Sequence, residues 1–166
     1  VHVREHVVPE RRLAHGRGDV HHVRAAARGG HHVDLGADRL AAEAEGVSIK
    51  INDIKLPATA NTLVIEGAGG LMVPLNDKEL MIDLIESLDA VVVLVIRHYL
   101  GSINHSLLSL QALRQRKIPV AGIIFNGSRN IQSEKAVLSF FPLPVLGKID
   151  EEKAFTPAVI ARYAKE

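Results

Sequence analysis

A glutamate at the end of an apolar run, followed at once by small residues, carries the clearest chemical signal of this chain: Leu63-Val64-Ile65-Glu66-Gly67-Ala68-Gly69-Gly70-Leu71-Met72-Val73-Pro74-Leu75. A carboxylate closing a buried strand is costly unless it meets a cation or hydrogen-bond donors. The glycines behind it accept positive φ and let backbone N–H groups approach a ligand closely. A carboxylate holding Mg²⁺ beside such a backbone nest is a common way to assemble a phosphate-transfer site. A tight turn with a strand-end glutamate fits the same residues. His2 and His6 have the i, i+4 spacing that brings imidazoles together on a helix, but no carboxylate or further histidine completes a metal set.

The elements around these residues follow from periodicity. Arg39 to Glu45 reads as a short helix stopped by Gly46. Thr62 to Ile65 suits a strand buried on both faces, and Ala90 to Ile96 a second. Asn76 followed by Glu79 resembles a capping box ahead of an apolar helical face of Leu80, Met81, Leu84, Ile85 and Leu88. A helix over Ser102 to Arg116 turns Ile103, Leu107, Leu110 and Leu113 inward. Pro119 to Phe125 is a third strand, Ile131 to Ser139 a helix, Val145 to Ile149 a strand and Pro157 to Ala164 a last helix. Strands alternating with helices predict an α/β fold, a parallel sheet with helices on both faces. Such sheets hold ligands at the carboxyl ends of their strands, here Glu66-Gly67, Arg97-His98, Asn126-Gly127 and Lys148 to Asp150.

Composition divides the chain. Seven of the 9 histidines precede Glu45, a stretch with no lysine, isoleucine or phenylalanine. Residues 1–38 show neither helical period nor strand alternation, so they are expected to form an atypical Arg/His-rich segment beside an α/β domain over 39–166. Three readings stand for that segment: metal or nucleic-acid binding, a disordered basic tail, or the product of a shifted reading frame. Over the whole chain the bulk values are those of a soluble globular protein, 47% hydrophobic and 23% charged. A formal net charge of +1 gives no bias toward nucleic acid or an anionic membrane. The absence of cysteine excludes disulfides, thiolate metal sites and a cysteine nucleophile. The longest apolar run is too short to span a bilayer, and with no leader pattern at Val1 a cytoplasmic location is expected.

The run Glu66-Gly67-Ala68-Gly69-Gly70-Leu71-Met72-Val73-Pro74-Leu75 resembles the signature of the dethiobiotin synthetases. Leu100-Gly101-Ser102-Ile103-Asn104-His105, Gly122-Ile123-Ile124-Phe125-Asn126 and Leu146-Gly147-Lys148-Ile149 resemble three further motifs of that family, in the same order. The related cobyric acid synthases and chromosome-partitioning ATPases fit the first two runs less well. The resemblance implies a P-loop NTPase-like fold and a homodimer with ATP as co-substrate and Mg²⁺ as metal. The implied reaction is carboxylation of diaminopelargonate with CO₂ or bicarbonate: a carbamate forms, ATP phosphorylates it, and the second amine closes a cyclic urea. On this resemblance Glu66 coordinates Mg²⁺, and Glu66, Gly67, Ala68 and Gly69 line the nucleotide phosphates. Asn126 and Gly127 contact adenine, the amide offering both a donor and an acceptor, although a turn cap also explains them. Asp150, Glu151 and Glu152 flank the base, with Asp150 standing where the family usually has proline. Gly101, Ser102, Ile103 and Asn104 open a helix whose free N–H groups suit the substrate carboxylate; an ordinary capped helix is the plain alternative.

The family's phosphate loop is not found. The pattern G-x-x-x-x-G-K-[ST] does not occur; Gly147-Lys148 is followed by Ile149, and the first lysine is Lys50. The expectation is therefore a C-terminal portion of the family fold, incomplete at its N-terminus, with no catalytic lysine and impaired turnover. A non-catalytic remnant that dimerises or binds nucleotide is the alternative.

Overall fold

Backbone pairing, more than side-chain pattern, decides which strands meet. The computed structural model describes residues 22–27, 32–36, 48–54, 56, 63–67 and 69–165, the first two segments as backbone only. The helix expected at Arg39 to Glu45, the His2–His6 pair and Ala68 lie outside the described residues. Contacts group the chain into two units divided between Leu88 and Asp89.

In the N-terminal unit, β1 (His22–Ala27), β2 (His32–Gly36) and β3 (Leu63–Glu66) form a sheet ordered β2-β1-β3. Both pairings are antiparallel, with Arg24 opposite Glu66 and Ala26 opposite Val64. This departs from the sequence expectation twice. Strands stand within residues 1–38, where no alternation announces them, and β3 joins an antiparallel sheet. Backbone N–H and C=O groups are alike in every residue, so neither partner nor direction is written in a short apolar run. Nor is β3 buried on both faces, since Val64 is 42% exposed.

The chain then turns through the glycines into α1 (Met81–Ser87). Here the capping residues differ from those expected. Leu80 is the N-cap, and its N–H donates to Asp83 Oδ2 at 2.7 Å while the Asp83 N–H returns to the Leu80 carbonyl. Asn76 and Glu79 instead close the preceding turn, Asn76 Oδ1 accepting from the Lys78 and Glu79 N–H groups. Asn76 Nδ2 donates to the Ile49 carbonyl at 2.6 Å, tying that turn to the short 3₁₀ segment Ile51–Asp53. Ile49, Leu75, Met81 and Leu84 form the buried centre of this unit.

The C-terminal unit holds the expected parallel sheet with flanking helices. It runs β4 (Val92–Arg97), α2 (Ser102–Gln115), β5 (Val120–Asn126), α3 (Ile131–Phe140), β6 (Val145–Ile149) and α4 (Pro157–Tyr163), with sheet order β4-β5-β6. Both pairings are parallel, so all three strands end on one edge. α2 and α3 pack on each other, and Leu94, Ile96, Leu110, Ile123, Phe125 and Val137 make the core. Gly122 lets β6 come close: a Cβ there would stand 2.6 Å from both the Pro144 carbonyl oxygen and Leu146 Cγ.

α2 corrects one expectation in detail. Its buried line is Ser102, Ser106, Leu110 and Leu113, while Ile103 faces outward. The helix is rotated so that the Ser106 hydroxyl, which donates to the Ser102 carbonyl at 2.7 Å, is covered with its hydrogen bond made. The two positions of α2 therefore separate in stability. Leu110→Ala is expected to cost about 2–5 kcal/mol and Ile103→Ala within about 0.5 kcal/mol. Urea unfolding midpoints of the two variants check this, and equal losses would place Ile103 in the core after all.

Candidate functional site

The edge where β4, β5 and β6 end collects the polar residues singled out in this unit. Register places Arg97 opposite Asn126, and Asn126 opposite Ile149. Gly127 follows with φ 93, a backbone conformation that favours glycine. Its N–H donates to the Ile149 carbonyl at 2.7 Å. A Cβ at Gly127 would lie 3.7 Å from Arg97 Cγ and 3.9 Å from Glu151 Oε1, so all three residues share one small region. Arg97 and Glu151 pair at 3.3 Å across it; both are more than half exposed, and such a pair contributes little to stability. The half-buried Asn126 side-chain amide has no hydrogen bond to another described residue, which leaves its donor and acceptor open to a ligand.

Asn126, Gly127 and Glu151 are thus brought together. Asp150 and Glu152 are held differently. The Asp150 N–H donates to the Tyr163 hydroxyl at 3.0 Å. Glu152 Oε1 accepts from that same hydroxyl at 2.6 Å and is paired with Arg162. Asp150 and Glu152 therefore anchor α4 to the strand edge through Tyr163. Sequence reading missed Tyr163 and Arg162, which follow the Pro157 helix start with nothing to mark them as partners of an acidic run.

Gly101 to Asn104 open α2. Gly101 is its N-cap with φ 97, and the Ser102 N–H already donates to the Tyr99 carbonyl at 3.0 Å. The N–H groups of Ile103 and Asn104 make no backbone hydrogen bond to a described residue. Beside them the Tyr99 hydroxyl meets His105 Nδ1 at 2.6 Å, and a Cβ on Gly101 would stand 3.6 Å from His105 Cε1. A small crevice runs along this helix start, with Arg97, Tyr99, Ser102 and His105 among its walls.

Glu66 and its turn belong to the other unit. The half-buried Glu66 ends β3 and has no hydrogen bond or ion pair with another described residue. Gly67 packs on Met81, whose Sδ would stand 3.4 Å from a Cβ there. Gly69 and Gly70 have φ 79 and 118. At Gly69 a Cβ would also meet Val73 Cγ2 at 2.8 Å, so glycine is required on two counts. The turn spends its carbonyls on the helix that follows: Leu71 and Val73 accept from the Ile82 and Met81 N–H groups at 2.9 and 2.8 Å. Those are orphan donors of a helix start. Among the described residues no group of three or more His, Asp or Glu side chains is gathered to hold a metal by itself. One carboxylate still fits Mg²⁺, which takes one or two protein carboxylates and fills its shell with water and phosphate oxygens.

Glu152 carries a testable shift. Its carboxyl is held below the ordinary value, first by the Tyr163 hydroxyl and also by the Arg162 charge. The interaction is present above the ordinary carboxylate range, about 4.3, and is lost as pH falls through the lowered folded value. Tyr163→Phe is expected to move the Glu152 titration upward toward that range in a carbon-detected NMR titration. An unmoved titration would remove Tyr163 from this role.

A family model described as an AAA domain matches residues 33–159. The ATP-dependent dethiobiotin synthetase BioD of Christiangramia forsetii is 51% identical over 126 residues, which are 76% of this chain and 60% of that protein. The protein of the same name from Cytophaga hutchinsonii is 50% identical over 125 residues, 75% of this chain and 61% of that protein. The biotin biosynthesis bifunctional protein BioCD of Bordetella avium is 43% identical over 126 residues, 76% of this chain and 27% of that protein. The chain spans about three-fifths of the length of the first two.

Proposed function

Because the chain belongs to the AAA domain family and shares half its aligned residues with dethiobiotin synthetases, we propose that it carries part of the site that makes dethiobiotin from diaminopelargonate, CO₂ and ATP. The observation that carries this reading is the Glu66 to Leu75 run together with the open amide of Asn126 at the parallel strand edge. Both are what an ATP site of this kind needs, a carboxylate for a phosphate-bound cation and a neutral reader for the base.

In this reading Glu66 holds Mg²⁺, and Gly67, Ala68 and Gly69 lie along the phosphates. The ion, when bound, neutralises charge on the phosphate oxygens during phosphoryl transfer. Asn126 and Gly127 meet the adenine edge, Asn126 giving a hydrogen bond and taking one. Glu151, with Asp150 and Glu152 around it, borders the base. The open N–H groups of Ile103 and Asn104, with Gly101 and Ser102 shaping the turn, receive the substrate carboxylate. The exposed residues Tyr99, Leu100 and Ile103 beside that helix start suit the face of a homodimer. A cytoplasmic location accords with the substrates, and among the described residues no helix is long and apolar enough to cross a membrane.

The chemistry runs on positioning and on cations around the phosphates. The diamine takes up CO₂ as a carbamate, ATP phosphorylates it, and the second amine displaces phosphate to close the ring, leaving ADP. The G-x-x-x-x-G-K-[ST] pattern that supplies those cations in P-loop proteins does not occur in this sequence. The 166 residues alone are therefore expected to bind MgATP and to release little ADP with diamine and bicarbonate. Asn126→Ala should weaken ATP about tenfold, the worth of roughly one well-made hydrogen bond, and erase preference for ATP over GTP. Glu66→Gln should abolish the gain in ATP affinity that Mg²⁺ brings. Calorimetric titration reads both, and turnover by the unaltered chain near that of an intact synthetase would overturn the expectation of impaired catalysis.

A further inference from the structure

Beneath the base edge lies a buried carboxylate that the proposed chemistry does not use. Glu134, on the first turn of α3, is 5% exposed. Its Oε2 accepts from Lys148 Nζ at 2.5 Å. Its Oε1 stands 3.8 Å from both His98 Nε2 and Arg129 Nε, beyond hydrogen-bond reach. Neither that oxygen nor either His98 ring nitrogen has a hydrogen-bond partner among the described residues. The His98 ring, its side chain 9% exposed, stacks on Phe125 with centroids 5.5 Å apart.

Four segments thus converge on one carboxylate: α3 itself, the end of β4 through His98, the β5–α3 loop through Arg129, and β6 through Lys148. The three strands β4, β5 and β6 lead from this cluster into the base edge. Arg97 precedes His98; Asn126 follows Phe125; and Ile149, whose carbonyl receives the Gly127 N–H, follows Lys148. Successive side chains of a strand point to opposite faces. With Phe125 paired to Lys148 on the Glu134 side, Asn126 and Ile149 take the other.

An ion pair with one partner buried is a weak source of stability, because desolvation of the Glu134 carboxylate offsets much of its attraction to the partly exposed Lys148. It does fix geometry, since a displaced Lys148 leaves a carboxylate without its partner. The structure assigns to Glu134 a positioning role: it sets how far β6 slides along β5 and so holds Gly127 and Asn126 in register for the adenine base. This rests on the reading of Asn126 and Gly127 as the base site. No contact between Glu134 and nucleotide is implied, nor is one open to it at this burial.

The test uses the full chain unaltered and as E134Q, K148M and E134Q/K148M. Three quantities are read: the urea midpoint, hydrogen exchange of the Gly127 amide by NMR, and the affinity for ATP against GTP. E134Q should speed Gly127 exchange about tenfold and weaken ATP about fivefold, the scale of a lost register bond. The double variant removes both charges, so its midpoint should return toward that of the unaltered chain. Gly127 protection and ATP preference should stay lost. Should they return with the midpoint, Glu134 is only a structural partner and the proposal fails; unchanged Gly127 exchange in E134Q also overturns it. If Asn126→Ala leaves ATP binding untouched, the base-site reading falls by itself, and Gly127 exchange still decides the role of Glu134.

Discussion

The hydrogen bond from the Gly127 N–H to the Ile149 carbonyl, at 2.7 Å, closes the parallel sheet at the edge where the chain's polar residues gather. Parallel strands bring their carboxyl ends to a common edge, and only there do residues from distant parts of the sequence become neighbours. Arg97, Asn126, Gly127 and Glu151 meet for that reason. The bond requires that β6 lie close to β5, and Gly122 makes the approach possible by presenting no Cβ to Pro144 and Leu146. It also requires that Gly127 turn with positive φ, which releases the chain from the strand into the loop before α3.

The two faces of β5 divide the work. One carries Phe125 against His98 and Lys148, with the buried Glu134 paired to Lys148. The other carries Asn126, whose amide is left open. A packed face carrying the Lys148–Glu134 pair, behind one that leaves the Asn126 amide open, is the arrangement a binding edge needs, since an open donor and acceptor are useful only when held still. In the N-terminal unit the same economy appears at the glycine turn. Its carbonyls are spent on the first N–H groups of α1, and Met81 packs beneath Gly67. Glu66 alone is left without a described partner.

Much of the candidate site was legible because its residues sit at punctuation points. A glutamate after an apolar run, an Asn-Gly pair after a strand and a Leu-Gly-Ser before a helix announce strand ends and helix starts by local rules. Glu134, Tyr163 and Arg162 carried no such mark. Glu134 lies in an ordinary first turn of α3, where an acidic residue already suits the helix dipole. Nothing local says that it is buried or that Lys148 reaches it across fourteen positions. Ile103 was misread for a related reason: hydropathy favours the isoleucine as the inward residue, whereas Ser106, which bonds its own helix backbone, is buried at little cost.

By itself the sequence determined the order of strands and helices from Asp89 onward, the burial of β4, and the residues that resemble an ATP-dependent synthetase. Those are consequences of hydrophobic period, glycine conformation and proline placement, all properties of a short window of chain. Only the tertiary structure decided that β3 pairs antiparallel with β1, that Asn76 serves a turn and Leu80 caps α1, and that four segments converge on Glu134. Each depends on which backbone groups and charges meet at long range. Identical peptide groups leave strand partner and direction unspecified, and a carboxylate finds its cation through space, not along the chain.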